Sequence, residues 1–436
     1  MQCKSTRAQS SVVSFRRALF TGQAPDGGLY MPVDFPDFQR DLYDLAAVDY
    51  QELVFRVLNP WLNEEIQDAE LQQIIEKAYP FTPETVEINN TTSILELFHG
   101  PTFSFKDFGA QFMAKSMGYF MRDESKELII LVATSGDTGS AVAHAYHQVE
   151  GIRIVLLYPS GQVSRLQEKQ FTTLGDNITA LEVDGTFDDC QALVKTAFRD
   201  RDLNDKKSLS SANSINIGRL LPQSIYYFKG VLDLYDPDAR AFIDVCVPSG
   251  NFGNLCAGLF AEKMGCPVNR FIAAVNSNAV VPEYIETGDF KPRPSVQTLS
   301  NAMDVGNPSN WERIQHLFMS SYEKIASRIW SSSVDDEATL QTMKSVHKAT
   351  GYVADPHTSV GIEALQRYRK HNKTAAAKEA LILSTAHPGK FQDTVNQALG
   401  CEIQLPAELQ QCMQKPKQAE SMSGRFKEFK EFLWML

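Results

Sequence analysis

The chain is 436 residues long, 43% hydrophobic, and carries 42 Lys and Arg against 53 Asp and Glu, a formal charge of −11 at pH 7. Its size predicts two domains with sizeable cores and excludes global disorder, while the acidic balance argues against a duplex binder, which needs a basic stripe to displace counterions. The apolar runs are strand-length, far short of the roughly 20 residues of a membrane helix. Seven scattered cysteines without a C-x-x-C pair fit a reducing compartment, and a cytoplasmic location is expected.

In chain order, Lys4, Arg7, Arg16 and Arg17 precede the first acid, Asp26. Two readings fit this basic start, an organelle transit peptide or the first segment of the fold. The opening to about residue 80 reads as mainly helical. Next comes Phe98-His99-Gly100-Pro101-Thr102-Phe103-Ser104-Phe105-Lys106-Asp107-Phe108, a single lysine among aromatics. Desolvation by Phe103, Phe105, Phe108 and Phe112 disfavours the ammonium and lowers its pKa. Such an amine is a good nucleophile toward a carbonyl and a proton carrier afterwards. The alternative is a snorkelling lysine whose head reaches water or pairs with Asp107.

Residues 128–133 are a continuous apolar run, the pattern of a strand covered on both faces, followed by Thr134-Ser135-Gly136-Asp137-Thr138-Gly139 and a helical pattern. The carboxylate in that loop disfavours a phosphate. Hydroxyls and amides at a helix start suit a small carboxylate, and helix capping by Asp137 is the alternative. His144 and His147 lie three apart with no third ligand, so no metal is expected. Runs 152–158, 178–183, 242–247, 270–275 and 380–383 repeat the same strand-then-helix grammar, which predicts parallel βαβ units and an α/β class. Ligands then sit beyond the carboxyl ends of the strands.

One such end is Ser249-Gly250-Asn251-Phe252-Gly253-Asn254, ahead of a helix starting near Leu255. Its glycines let the backbone approach closely, helix-start N–H groups favour an anion, and no acid repels one. A phosphate held by amides and the Ser249 hydroxyl fits; an ordinary strand-to-helix turn is the alternative. Neither nucleotide fingerprint is present. Residues 282–310 read as a long loop. Thr385 offers a neutral hydroxyl at the end of run 380–383, and His387 beside it reads as a hydrogen bonder. Residues 424–436 interleave lysines with Phe426, Phe429, Phe432, Leu433 and Trp434, an amphipathic helix docking on the body, with membrane contact as the alternative. A desolvated lysine, a neutral phosphate loop, a carboxylate loop and a strand-end hydroxyl together point to pyridoxal phosphate, whose aldehyde, phosphate and ring nitrogen need such partners.

The segments Ser5-Thr6-Arg7, Asp26-Gly27-Gly28-Leu29-Tyr30-Met31-Pro32, Glu96-Leu97-Phe98-His99-Gly100-Pro101-Thr102 and Ala133-Thr134-Ser135-Gly136-Asp137-Thr138-Gly139 run on into Ser164-Arg165-Leu166-Gln167-Glu168-Lys169 and Asn213-Ser214-Ile215-Asn216-Ile217-Gly218-Arg219. Leu299-Ser300-Asn301-Ala302-Met303-Asp304-Val305 and Thr385-Ala386-His387-Pro388 complete the set. On these the chain resembles the threonine synthases of the longer bacterial and fungal type, within the fold type II pyridoxal-phosphate enzymes. The family opening already stands at Ser5, so the basic start is expected in the fold. The resemblance implies two α/β domains with mostly parallel sheets and the cofactor in the cleft between them. A mainly helical segment 1–100 packs on the large domain, 101–225 form the small domain with Lys106 and the 134–139 loop, and 226–436 form the large domain with the phosphate loop and Thr385.

The resemblance further implies Lys106 as the Schiff-base lysine, which also moves the substrate's Cα and Cβ protons. Ser249, Gly250, Asn251, Phe252, Gly253 and Asn254 hold the cofactor phosphate. Thr385 faces the pyridine nitrogen and Asp137 the ring hydroxyl, with Ser135, Gly136 and Thr138 on the substrate carboxylate. The implied substrate is O-phospho-L-homoserine. Its phosphate falls to Ser214, Asn216 and Arg219, since arginine grips phosphate bidentately, with Lys169 as helper or as a solvated helix-face charge. The implied reaction is γ-elimination of phosphate and β-addition of water, giving L-threonine and phosphate, the last step of threonine biosynthesis. A monomer or homodimer without nucleic-acid or membrane partners is expected. A phospho-lyase or dehydratase yielding 2-oxobutyrate is the alternative. An inactive cofactor-binding relative is disfavoured because Lys106, Arg219 and Thr385 are all present.

Overall fold

Strands that are apolar at every position must be covered on both faces, and those of this chain form the centres of two sheets. The computed structural model describes residues 1–236, 241–375 and 378–436. The smaller sheet runs in the order Glu420–Ser423, Ile178–Asp184, Ile152–Pro159, Leu128–Ala133, Ser208–Ser210, all parallel. The larger runs Ile329–Ser333, Val268–Val275, Ile243–Pro248, Ala380–Ser384, Thr92–Glu96, Glu84–Asn89, parallel except for the final antiparallel pair. Every residue of Leu128–Ala133, Ile243–Pro248 and Ala380–Ser384 is buried. The chain is thus α/β with mostly parallel sheets, as expected.

Three places differ from the sequence reading. The opening holds the expected helices, Phe15–Thr21, Tyr50–Leu62 and Asp68–Ala78. It also forms a three-stranded antiparallel sheet of Val13–Ser14, Gln2–Ser5 and Tyr30–Pro32, so the basic start lies in the fold. The stretch read as a loop begins inside the helix Val280–Thr287. Pro282 is tolerated there because first-turn N–H groups have no helical partner to lose.

The third difference concerns the C-terminus, expected within the large domain at 226–436. Strand Glu420–Ser423 instead pairs in parallel with Ile178–Asp184 of the smaller sheet. The helix Phe426–Met435 follows it there, burying Phe429 and Leu433 against the same core as Leu131, Val155 and Leu181. Burying each such side chain contributes about 1.5–3 kcal/mol. The final segment therefore ties the two halves of the chain together.

Candidate active site

Loops leaving the parallel strands of both sheets meet at a cavity of about 1340 Å³. Lys106 opens the helix Lys106–Met121 on its wall, after Phe103 turns the backbone into the left-handed region at φ 57°. The lysine segment is stitched to the hydroxyl loop. The Phe105 N–H donates to the Thr385 carbonyl (2.9 Å), the His387 N–H donates to the Phe103 carbonyl (3.1 Å), and Ser104 pairs with Ala386. Lys106 and Thr385, remote in sequence, thereby line one cavity.

Burial pushes the Lys106 amine down from its ordinary pKa; Asp137 opposes this, while Lys390 and Arg219 reinforce it. Asp107 is not its partner. That carboxylate accepts from the Thr102 N–H (2.8 Å) and hydroxyl (2.6 Å), and burial pushes it up to about 6.

Asp137 begins the helix Asp137–Tyr146 but caps nothing. Gly136 before it sits at φ 145°, and a Cβ there would lie 2.7 Å from the Gln167 amide, so the turn requires glycine. The Asp137 Oδ1 accepts from Gln167 Nε2 (2.9 Å) and pairs with Lys390 Nζ (2.6 Å), and its Oδ2 lies 3.5 Å from Lys106 Nζ. Burial pushes this carboxyl up, but Lys390 and Lys106 outweigh it and hold the group well below the usual carboxylate range. Ser135 and Thr138 line the cavity beside it.

Phe252, also lining the cavity, adopts φ 58° and the helix Gly253–Lys263 begins next, and N–H groups at a helix start suit an anion. Gly250 packs so closely that a Cβ would lie 2.6 Å from the Met303 Cα. Asn251 is braced by Ser214, whose Oγ accepts from its Nδ2 (2.6 Å), and by the Ser309 N–H (2.6 Å). Asn254 Oδ1 accepts from the hydroxyls of Tyr226 and Tyr227 (2.7 Å each), leaving its Nδ2 buried with no hydrogen-bond partner among the described residues.

Arg219 also faces the cavity at 2% exposure. One guanidinium nitrogen donates to the Ala212 carbonyl (2.8 Å), its Nε is buried with no hydrogen-bond partner among the described residues, and burial pushes its pKa down to about 10. A buried guanidinium with no ion-paired carboxylate among the described residues is suited to an anion. Of the other three proposed phosphate partners, Ser214 lines the cavity, while Asn216 and Lys169 do not. Asn216 caps its own short helix, accepting from the Gly218 N–H (2.9 Å) and donating to the Leu19 carbonyl (2.8 Å). Lys169 donates to the Lys415 carbonyl on the C-terminal segment and does not line the cavity.

The "Threonine synthase N terminus" family matches residues 2–79, the "Pyridoxal-phosphate dependent enzyme" family residues 94–386, and the "Threonine synthase, C-terminal" family residues 358–433. The chain is 41% identical to the threonine synthase of Serratia marcescens over 99% of both chains, and 34% identical to that of Saccharomyces cerevisiae over 91% of this chain and 88% of the other. The crystal structure of Escherichia coli threonine synthase superposes with a TM-score of 0.91 at 39% identity, covering 100% of both chains. The pyridoxal-phosphate-bound enzyme of Brucella melitensis gives 0.92 at 35% identity, covering 99% of this chain and 98% of the other.

The chain belongs to the threonine synthase family.

It is a fold type II pyridoxal-phosphate enzyme, and the threonine synthase site fits that cofactor on its own chemistry. A lysine biased toward its neutral form, a close-packed glycine loop at a helix start and an Asn254 Nδ2 with no partner among the described residues line one cavity. Sequence reading missed Lys390, Gln167 and His357. His357 lines the cavity, with Nδ1 2.6 Å from the buried carboxylate of Asp355 and Nε2 accepting from the Ala302 N–H (3.2 Å). Gln167 stood within a motif already singled out. Lys390, three residues beyond His387, carried no signal, because a lysine is seldom fully buried.

Proposed function

We infer that the protein is a threonine synthase, converting O-phospho-L-homoserine and water to L-threonine and phosphate. It acts on a small molecule in the cytoplasm, as a monomer or homodimer. The observation that carries this reading is Arg219, a buried and incompletely satisfied guanidinium facing the same cavity as Lys106. A substrate with an amino acid at one end and a phosphate at the other meets both groups.

Pyridoxal phosphate, when bound, supplies an aldehyde for amines and a conjugated ring that accepts the electron pair left by proton removal. The chain's own residues do the rest. Ser249, Gly250, Asn251, Phe252, Gly253 and Asn254 would hold the cofactor phosphate through backbone amides. Thr385 would meet the ring nitrogen with a neutral hydroxyl, which leaves that nitrogen largely unprotonated. Asp137 would hold the ring hydroxyl.

Ser135 and Thr138, with the N–H groups opening the helix Asp137–Tyr146, would orient the substrate carboxylate. Gly136 gives that loop its shape. Arg219 would grip the substrate phosphate as a fork, with Ser214 bracing the neighbouring Asn251. Lys106, whose amine burial biases toward its neutral form, would move protons at Cα and Cβ. Asn216 supports Arg219 by capping the turn that carries it, and Lys169 plays no direct part.

Incubation of the holoenzyme with O-phospho-L-homoserine and identification of the organic product tests the reading. Threonine at stoichiometry with phosphate is expected, and 2-oxobutyrate as the main product would overturn it.

A further inference from the structure

The site contains a second lysine that the proposed chemistry does not use. Lys390 has a side chain with no solvent exposure, and it sits in the turn Pro388–Phe391 directly after the Thr385 loop. Its Nζ donates to the Thr102 carbonyl (2.8 Å) and pairs with Asp137 Oδ1 at 2.6 Å, nearly an ångström closer than Lys106 approaches the other oxygen. Asp137 is itself buried, with Gln167 as its remaining donor.

A fully buried cation, Lys390, and a partly buried one, Lys106, thus share one buried carboxylate, unequally. We propose that Lys390 is a positioning residue that serves as the permanent counter-ion of Asp137 and so frees Lys106 to lose its proton. The inference rests on the reading of Lys106 as the reactive amine.

The physical argument is one of competition. A buried carboxylate needs a compensating charge, because uncompensated burial is costly. With Lys106 alone beside it, Asp137 would hold that amine as ammonium, and an ammonium is neither nucleophile nor base. Lys390 satisfies Asp137 from the other side, and its own bond to the Thr102 carbonyl keeps it in place while Lys106 changes partners. The same lysine adds positive charge near Lys106, which favours the neutral amine. The charged groups facing Lys106 are Asp137, Lys390 and Arg219, and the titratable groups facing Lys390 are Asp137, Lys106, Asp107, His144 and His387. Of the two carboxylates in this set, Asp107 is pushed up by burial and bound to Thr102, whereas Asp137 is held below its usual range and touches both lysines, so Asp137 is the anion whose pairing matters.

The test is a set of holoenzyme variants, Lys390→Met, Lys390→Arg, Asp137→Asn and the Asp137→Asn/Lys390→Met double, each followed by the pH profile of kcat/KM and the pH titration of the cofactor's visible band. Lys390→Met is expected to move the acid limb of the profile to higher pH by about one unit or more. That corresponds to roughly tenfold lower kcat/KM near neutrality for each unit. The spectral midpoint should move in the same direction, and Lys390→Arg should restore most of both. In the Asp137→Asn background the same lysine substitution should cost less than threefold, because nothing is left to compete for Lys106.

Equal losses in both backgrounds, or a loss of activity with the pH profile and band unmoved, would overturn the inference and leave Lys390 a structural residue. A Lys106→Ala variant run in parallel separates this outcome from failure of the underlying reading. If that variant keeps its activity and visible band, the assignment of Lys106 itself is wrong.

Discussion

The cavity has two walls that handle anions by opposite means. One wall, from Ser249 to Asn254, carries no charge and uses backbone N–H groups set by Phe252 in the left-handed region and by a glycine packed onto Met303. The other carries Lys106, Asp137 and Arg219, with Lys390, which does not itself line the cavity, paired to Asp137. The contrast matches the demands of the proposed reaction. A cofactor phosphate must stay through every turnover, and preorganised amides hold it without moving a proton. A substrate phosphate must arrive and leave, and protons must shift beside it, which calls for side chains whose charges are balanced against one another. A chain with net charge −11 therefore concentrates its useful positive charge on one wall.

Substitutions on each wall test this division. The largest effect is expected from Lys106→Ala, which should reduce turnover to background and remove the visible band of the cofactor; turnover near wild type would break the comparison at its centre. Arg219→Lys comes next. It keeps the charge and loses the fork, and removing one partner of a buried charged contact costs about 2–5 kcal/mol. A fall in kcat/KM of roughly 30-fold to several-thousand-fold follows; steady-state kinetics with unchanged cofactor binding would place the loss on the substrate side.

Gly250→Ala belongs to the neutral wall, where overpacking typically costs about 1–3 kcal/mol. Its signature should be weaker cofactor binding, measured by titration of the apoprotein, while the pH profile stays put. A shifted pH profile instead would mean the two walls are not separable. Lys169→Ala should be smallest, within about twofold of wild type in kcat/KM, since its head group rests on the Lys415 carbonyl. A large rise in KM there would return it to the substrate site.

Much of this was readable from residue order. Leu128–Ala133 appeared as a continuous apolar run and forms a fully buried strand. The loops after it and after Ile243–Pro248 were legible because glycines, hydroxyls and a missing acid are local properties. The opening hairpin was not: strands as short as Val13–Ser14 carry no periodicity. Nor was the partner of Glu420–Ser423, since a four-residue strand does not name the sheet edge it will join. Asn216 and Arg219 share one motif, yet one side chain turns into its helix cap and the other into the cavity. Three residues along a tight helical turn separate opposite directions, and direction is set by packing.

The sequence by itself determined the α/β class, the strand ends that line the cavity, and Lys106 with its aromatic surroundings as the proposed reactive amine. Each follows from residues adjacent along the chain. Tertiary structure alone decided which charges meet. Lys390 reaches Asp137, Lys106 reaches it from the other side, and Asp107, next to Lys106 in sequence, turns away to Thr102. Electrostatic pairing depends on distance in space and on burial, and neither is encoded by neighbourhood along the chain.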